Sequence, residues 1–187
     1  KRKLNFEPLV LLLLVDSYNI IPLKYGLRPF DKTFIEELLL QQAEELKGQQ
    51  RSDLTSVFEQ LGYVAGERKR IRSRVWWRRH DAAIKLGIMR SKDGVPDLVL
   101  AVSDSYEIVR LSALRALGQM EHPESVQALL RVLRDTEKWT GAKVLEVLVG
   151  IGEAIRKEVI SLLQSVTEPR HRLLLIELCG IMKWPEA

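Results

Sequence analysis

Apolar side chains recur along most of the chain at i, i+3, i+4 and i+7, the spacing of a helix with one buried stripe. Val95, Leu98, Val99 and Val102 set the pattern; Val126, Leu129, Leu130 and Leu133 repeat it, and so do Val159, Leu162, Leu163 and Val166. Each run is answered by a second helix, carrying Val109, Ala113, Ala116 and Leu117, then Val144, Val147, Leu148 and Ile151, then Leu175, Leu178, Cys179 and Met182. The register itself repeats. Leu86-Gly87 returns as Leu117-Gly118, Val95 as Val126, Leu98 as Leu129, Val102 as Leu133 and Asp104 as Asp135, each 31 residues on. A looser copy places Ile151-Gly152 34 residues after Leu117-Gly118, and a further one ends at Cys179-Gly180.

A helix with a single apolar stripe cannot bury it alone, so neighbouring pairs must stack around a continuous core. The links are short, which forces antiparallel packing within a pair. The fold class expected is all-α, an α-solenoid of stacked antiparallel helix pairs. Gly87, Gly118, Gly152 and Gly180 each follow the last apolar residue of a second helix, and a left-handed cap is expected at each. Ahead of the repeats lie helices over Glu7–Ile21, from Asp31 or Thr33 to just before Gly48, and from Ser52 or Asp53 to Gly62. Residues 1–67 are therefore read as a helical lead-in packed on the stack, and residues 68–187 as the repeat domain.

Charge sharpens this picture more than composition does. With 46% apolar and 29% charged residues among 187, the chain has a globular rather than a disordered composition. The lone Cys179 excludes an intramolecular disulfide, suits a reducing compartment and is read as core. Net charge is +4, but residues 1–67 hold 8 basic and 10 acidic side chains, 68–90 hold 9 and 1, and 91–187 hold 12 and 14. The excess thus sits in one helix-sized stretch, Arg68-Lys69-Arg70-Ile71-Arg72-Ser73-Arg74-Val75-Trp76-Trp77-Arg78-Arg79-His80. That favours a local anionic partner over general coating of nucleic acid. The longest apolar run, Leu9–Val15, falls far short of the roughly 20 residues of a membrane span. The opening Lys1-Arg2-Lys3, with no methionine, is expected of a piece of a longer protein. It is either a solvated end or the cytoplasmic flank of a membrane helix lying before Lys1.

No catalytic motif stands out: there is no His-Glu-x-x-His, Cys-x-x-Cys, glycine-rich phosphate loop or Gly-x-Ser-x-Gly. No enzyme activity, cofactor or metal is expected. His80, His122 and His171 are read as surface or capping residues. The candidate binding residues are Arg68, Arg72, Arg74, Trp76, Trp77, Arg78 and Arg79. On one continuous helix Arg68, Arg72 and Arg79 share a stripe, and Arg74 and Arg78 another. Guanidinium groups there suit phosphates, lipid headgroups or an acidic protein face. Alternatively they pair with Glu36, Glu37, Glu44 and Glu45. Trp76 lies seven residues before Ala83 and Trp77 seven before Ile84, which sets at least one ring against the stack.

Asp104, then Val109-Arg110-Leu111-Ser112-Ala113-Leu114-Arg115-Ala116-Leu117-Gly118 and Pro123-Glu124-Ser125-Val126-Gln127-Ala128-Leu129-Leu130, resemble HEAT repeats of the type named after phycobilisome lyases. The resemblance covers roughly residues 72–183. It implies that the turn aspartate and the second-helix arginine, here Asp104 with Arg110 and then Asp135, tie successive repeats together. Val144 stands where the third copy would need its arginine, so the ladder should break there; Arg172 restores a base in the fourth. The layout also resembles bacterial HEAT proteins with one N-terminal membrane helix and an Arg-Trp-Trp-Arg-Arg stretch, which Arg74 to Gly87 matches apart from the interposed Val75. That resemblance implies a cytoplasmic scaffold tethered through a segment before Lys1. HEAT-fold hydroxylases hold iron through His-Glu dipeptides, whereas Asp81, Pro123 and Arg172 follow the histidines here.

The leading expectation is a noncatalytic protein-interaction scaffold with an unidentified protein partner, with an anionic membrane surface as a further candidate. The alternative is nucleic-acid binding by the Arg/Trp stretch, as in HEAT-like DNA glycosylases, with Trp76 or Trp77 stacking on bases. A third reading is an accessory lyase or chaperone of phycobilin attachment, which rests on the resemblance alone.

Overall fold

The computed structural model describes residues 29–120, 125, 129 and 141–184. Among them run nine α-helices: α1 (Pro29–Glu45), α2 (Gly48–Gln60), α3 (Tyr63–Arg70), α4 (Trp76–Met89), α5 (Val95–Ala101), α6 (Glu107–Gln119), α7 (Gly141–Ile151), α8 (Arg156–Ser165) and α9 (Pro169–Met182). Short 3-10 turns, Lys92–Gly94 and Gly152–Ile155, precede α5 and α8, and no strand occurs among the described residues. The helix expected over Glu7–Ile21, together with Asp135 and His122, lies outside them.

The fold is an α-solenoid of stacked helix pairs, and its first two described repeats are α3/α4 and α5/α6. The 31-residue period is a period of burial. Val64 and Val95, Ile71 and Val102, Ala82 and Ala113, Ala83 and Leu114, Leu86 and Leu117, and Met89 and Met120 are all buried. Fully burying one such Leu or Met is worth roughly 1.5–3 kcal/mol. Glu67 breaks the period, because it occupies the register of Leu98 yet is itself buried. The core runs on without a gap through Leu148, Val159, Leu175 and Leu178 to Trp184, whose indole Nε1 donates to Glu153 at 2.7 Å. Leu129, the described core position of the third copy, is buried as well.

The basic stretch is not one helix. It breaks at Ile71–Val75, because Ser73 Oγ accepts the amide of Val75 at 3.2 Å and Val75 is extended, so the chain turns before α4 begins. The stripes counted on a continuous helix are therefore replaced by two short faces meeting at a corner. α2 likewise begins at Gly48, ahead of the expected Ser52 or Asp53 cap, with Gly48 at φ 59 in the turn from α1.

The expected glycine caps need a larger correction. Gly87, Gly118 and Gly180 lie inside α4, α6 and α9 without positive φ, and of the four only Gly152 is left-handed, at φ 73. Gly87 serves close approach instead: a Cβ there would lie 2.8 Å from both Cα and Cβ of Ala116 on α6. A Cβ at Gly118 would meet Val147 at 3.2 Å and Ile151 at 3.3 Å. The left-handed caps of α4 and α9 fall to Arg90 and Lys183.

Polar contacts also join α1 and α2 to the stack. Lys85 of α4 reaches Glu36 of α1 at 2.9 Å, Thr55 of α2 donates to the Met89 carbonyl at 3.0 Å, and the Arg51 guanidinium donates to the Ile88 carbonyl. The last two satisfy carbonyls at the C-terminal end of α4, which otherwise lack partners.

Candidate interaction edge

The loops that lead into α4 and α6 place the arginines on one edge of the stack, and carboxylates of the next repeat take most of them. Buried Asp97, in the first turn of α5, accepts from Arg68 Nε at 2.6 Å and Arg72 Nε at 2.8 Å. Arg79 makes a two-pronged contact with Asp104, Nε to Oδ2 at 2.6 Å and Nη2 to Oδ1 at 2.8 Å. Both side chains are largely shielded from solvent. Burial alone would push the Asp104 carboxyl up, but the hydrogen bonds from Arg79 and the Tyr106 amide hold it below the ordinary aspartate value. The same pair, led by the hydrogen bond to Asp104, raises Arg79.

This contact redraws the ladder that the resemblance implied. Asp104 gives its carboxylate to Arg79 of the preceding repeat, while Arg110 donates to the Asp104 main-chain carbonyl at 2.9 Å. Arg79 and Arg110 are register equivalents, and Arg79 also donates to the Ser73 carbonyl at 2.8 Å, where Ser73 is the counterpart of Asp104. One arginine thus grips its own turn and the turn of the next repeat.

Behind the edge, at the junction of α1, α3 and α4, Arg70 bridges Glu67 and Asp81 at 2.8 Å each, and Lys85 lies 3.7 Å from Glu67. The arginines do not pair with Glu37, Glu44 or Glu45, and it is Lys85, not an arginine, that reaches Glu36. Burial, with the nearby Glu36 charge, raises the Glu67 carboxyl against the opposing pull of Arg70 and Lys85. One Glu67 oxygen is buried without a hydrogen-bond partner.

What remains outward and uncommitted to a carboxylate is a subset of the expected binding residues, since Arg72 is exposed but held by Asp97. Trp77 is 58% exposed, and Arg74 and Arg78 are exposed with no acidic partner among the described residues. Trp76 is half-buried and stacks on Tyr106, ring centroids 5.8 Å apart and planes 20° apart. The Arg79 guanidinium lies 5.7 Å from the centre of the Tyr106 ring. Tyr106 and Ile108 were not singled out from the sequence. The signal that reaches them is the 31-residue register, in which Tyr106 answers Val75 and Ile108 answers Trp77.

One hydroxyl–imidazole pair bears on catalysis. Ser112 Oγ lies 2.7 Å from His80 Nδ1, but it also donates to the Ile108 carbonyl at 2.9 Å and is buried in the middle of α6. The pair joins α4 to α6 as a packing contact, since the hydroxyl is buried between the two helices. His171 is buried rather than at the surface, with Nδ1 3.0 Å from Glu168. Among the described residues no three His, Cys, Asp or Glu side chains are grouped to hold a metal ion, and no helix is long and apolar enough to cross a membrane.

Stacked helix pairs clasped from one turn to the next define the class, an α-solenoid. Residues 68–148 match the family model for HEAT repeats, a match that runs from the basic stretch into α7. HEAT repeats generally act as protein-interaction scaffolds. No curated protein matches the chain.

Proposed function

We propose that the chain is a noncatalytic HEAT-repeat scaffold that docks a protein partner at the edge formed by the starts of α4 and α6. In this reading the lead-in, residues 1–67, packs on the stack and hands over to it within α3, and residues 68–187 form the interaction module. Of the seven arginines and tryptophans expected to bind, Arg74, Trp77 and Arg78 make contact with the partner. Arg68, Arg72 and Arg79 are spent on Asp97 and Asp104, and Trp76 backs the surface from inside. The observation that carries the reading is the indole of Trp77, more than half exposed between two arginines that lack acidic partners among the described residues, on a helix otherwise packed at its Ala82, Ala83 and Leu86 face. An apolar ring held outward by a rigid helix is a typical anchor of a protein interface. Nucleic-acid binding finds less support, since paired arginines contribute little to phosphate neutralisation.

Capture from an extract of the source cell, with the whole chain immobilised, tests this reading. A protein that is enriched by the wild type and lost with Trp77→Ala supports it. Recovery of small molecules with no protein enriched counts against it.

A further inference from the structure

At the edge of α4 and α6, three kinds of group that seldom share an exposed surface without purpose lie together. Trp77 is 58% exposed, Tyr106 49% and Ile108 46%. The last two start α6, which packs directly on α4. Arg74 and Arg78 bracket Trp77 in the chain, and neither has an acidic partner among the described residues. The neighbouring carboxylates are already committed, Asp81 to Arg70 at 2.8 Å and Glu107 to Lys143. The edge therefore presents an indole with Arg74 and Arg78, which lack acidic partners among the described residues, close to it in the chain, and an apolar shoulder of Tyr106 and Ile108.

We infer that this edge recognises an acidic stretch of a partner protein, one in which carboxylates flank an apolar side chain. The inference rests on the scaffold reading above and adds the chemistry of the partner. Carboxylates would form charge-assisted hydrogen bonds with Arg74 and Arg78, while the apolar side chain packs on Trp77 and the Tyr106–Ile108 shoulder. Trp, Tyr and Arg are the residues that dominate binding at protein interfaces. The surface is also prepared in advance: Trp76 stacks under Tyr106, Arg79 lies over the same ring, and Asp104 holds Arg79 on two hydrogen bonds. The Tyr106 shoulder therefore loses little side-chain freedom on docking. A lipid surface or a nucleic acid fits less well, because both reward the number of free cations, and Asp97, Asp104 and Glu67 have taken most of those available here.

The whole chain should bind a short fluorescein-labelled peptide in which aspartates flank one leucine, read by anisotropy and by the part of the tryptophan emission change that Trp77→Ala removes. Binding should weaken as salt rises from about 50 to 300 mM. Trp77→Ala and the Arg74→Glu/Arg78→Glu pair should each weaken it roughly tenfold or more. All three positions are solvent-facing, so the far-ultraviolet circular dichroism of the variants should match the wild type. The charge-reversed pair should gain affinity for the same peptide with lysine in place of each aspartate, which a folding defect would not produce. Peptide binding unaffected by these variants overturns the inference. So does tighter binding to phosphatidylserine vesicles or to oligothymidine than to the peptide. If the peptide does not bind while Trp77→Ala still abolishes protein capture from the extract, the acidic-segment inference falls and the scaffold reading stands; if nothing is captured either, both fall.

Discussion

Replacing Glu67 with leucine should stabilise the protein, although it removes a charged residue that touches two cations. Glu67 sits in the register of Leu98, is almost wholly buried, and leaves one oxygen without a hydrogen-bond partner. An orphaned buried acceptor costs about 1–3 kcal/mol, and a leucine there adds apolar burial of the kind that contributes roughly 1.5–3 kcal/mol when complete. Against this stand the contact with Arg70, whose side chain is 41% exposed, and the longer approach of Lys85. An ion pair with one exposed partner is worth about 0–1 kcal/mol. Lys85 keeps Glu36 and Arg70 keeps Asp81, so neither cation is stranded. The balance is a gain of about 1–3 kcal/mol, or roughly 2–4 °C in Tm for each kcal/mol in a chain of this size. Urea denaturation followed by helical circular dichroism would measure it, and Glu67→Gln would separate loss of charge from gain of apolar volume. The carboxyl is raised in the fold, so the folded state holds its proton more tightly than the unfolded state does. Glu67 therefore lowers wild-type stability as pH rises from the ordinary glutamate range through the raised folded value, and this dependence should vanish in the leucine variant. A loss of stability of more than about 1 kcal/mol would refute the reasoning, and would mean that pairing with Lys85 and Arg70 outweighs desolvation.

Gly87→Ala should destabilise by about 1–3 kcal/mol, because its methyl would sit 2.8 Å from the Ala116 backbone and force α4 and α6 apart; thermal melting checks this, and an unchanged Tm would contradict it. The Asp104 carboxyl is held low in the fold, so its contribution is present above the ordinary aspartate range and lost as pH falls through the lowered value. Asp104→Asn should be less stable at neutral pH and show a shallower loss of stability on acidification than the wild type, measured as denaturation midpoints from about pH 7 to pH 3.

The repeat was legible because burial follows it: each core residue of α4 has a buried counterpart one period later in α6, and the apolar spacing records this directly. What was misread depended on partners that a linear pattern does not contain. A glycine after the last apolar residue suits a left-handed cap and a close helix crossing equally well, and only Ala116 across the gap decides for Gly87. The basic stretch reads as one helix by composition, yet a Ser73 hydroxyl and an extended Val75 end it. The destinations of the arginines were hidden for a similar reason. Asp97 and Asp104 belong to the following repeat, whereas the acids first considered, Glu36, Glu37, Glu44 and Glu45, belong to α1. Tyr106 and Ile108 escaped notice because an apolar residue in a helical repeat is by default a core residue, and only its position at the rim of the stack separates the two.

The grip of Arg79 on Asp104 also gives the array a polarity. The arginine reaches forward, from the second helix of one unit to the entry of the next, so this joint is fastened from its upstream side. Cutting the backbone between Arg90 and Gly94 would leave this side-chain strap in place across the cut, whereas loss of the single guanidinium would slacken the joint with the backbone intact. Loss of that guanidinium should therefore loosen the clasp between the two turns while the buried core between α4 and α6 still holds the units side by side.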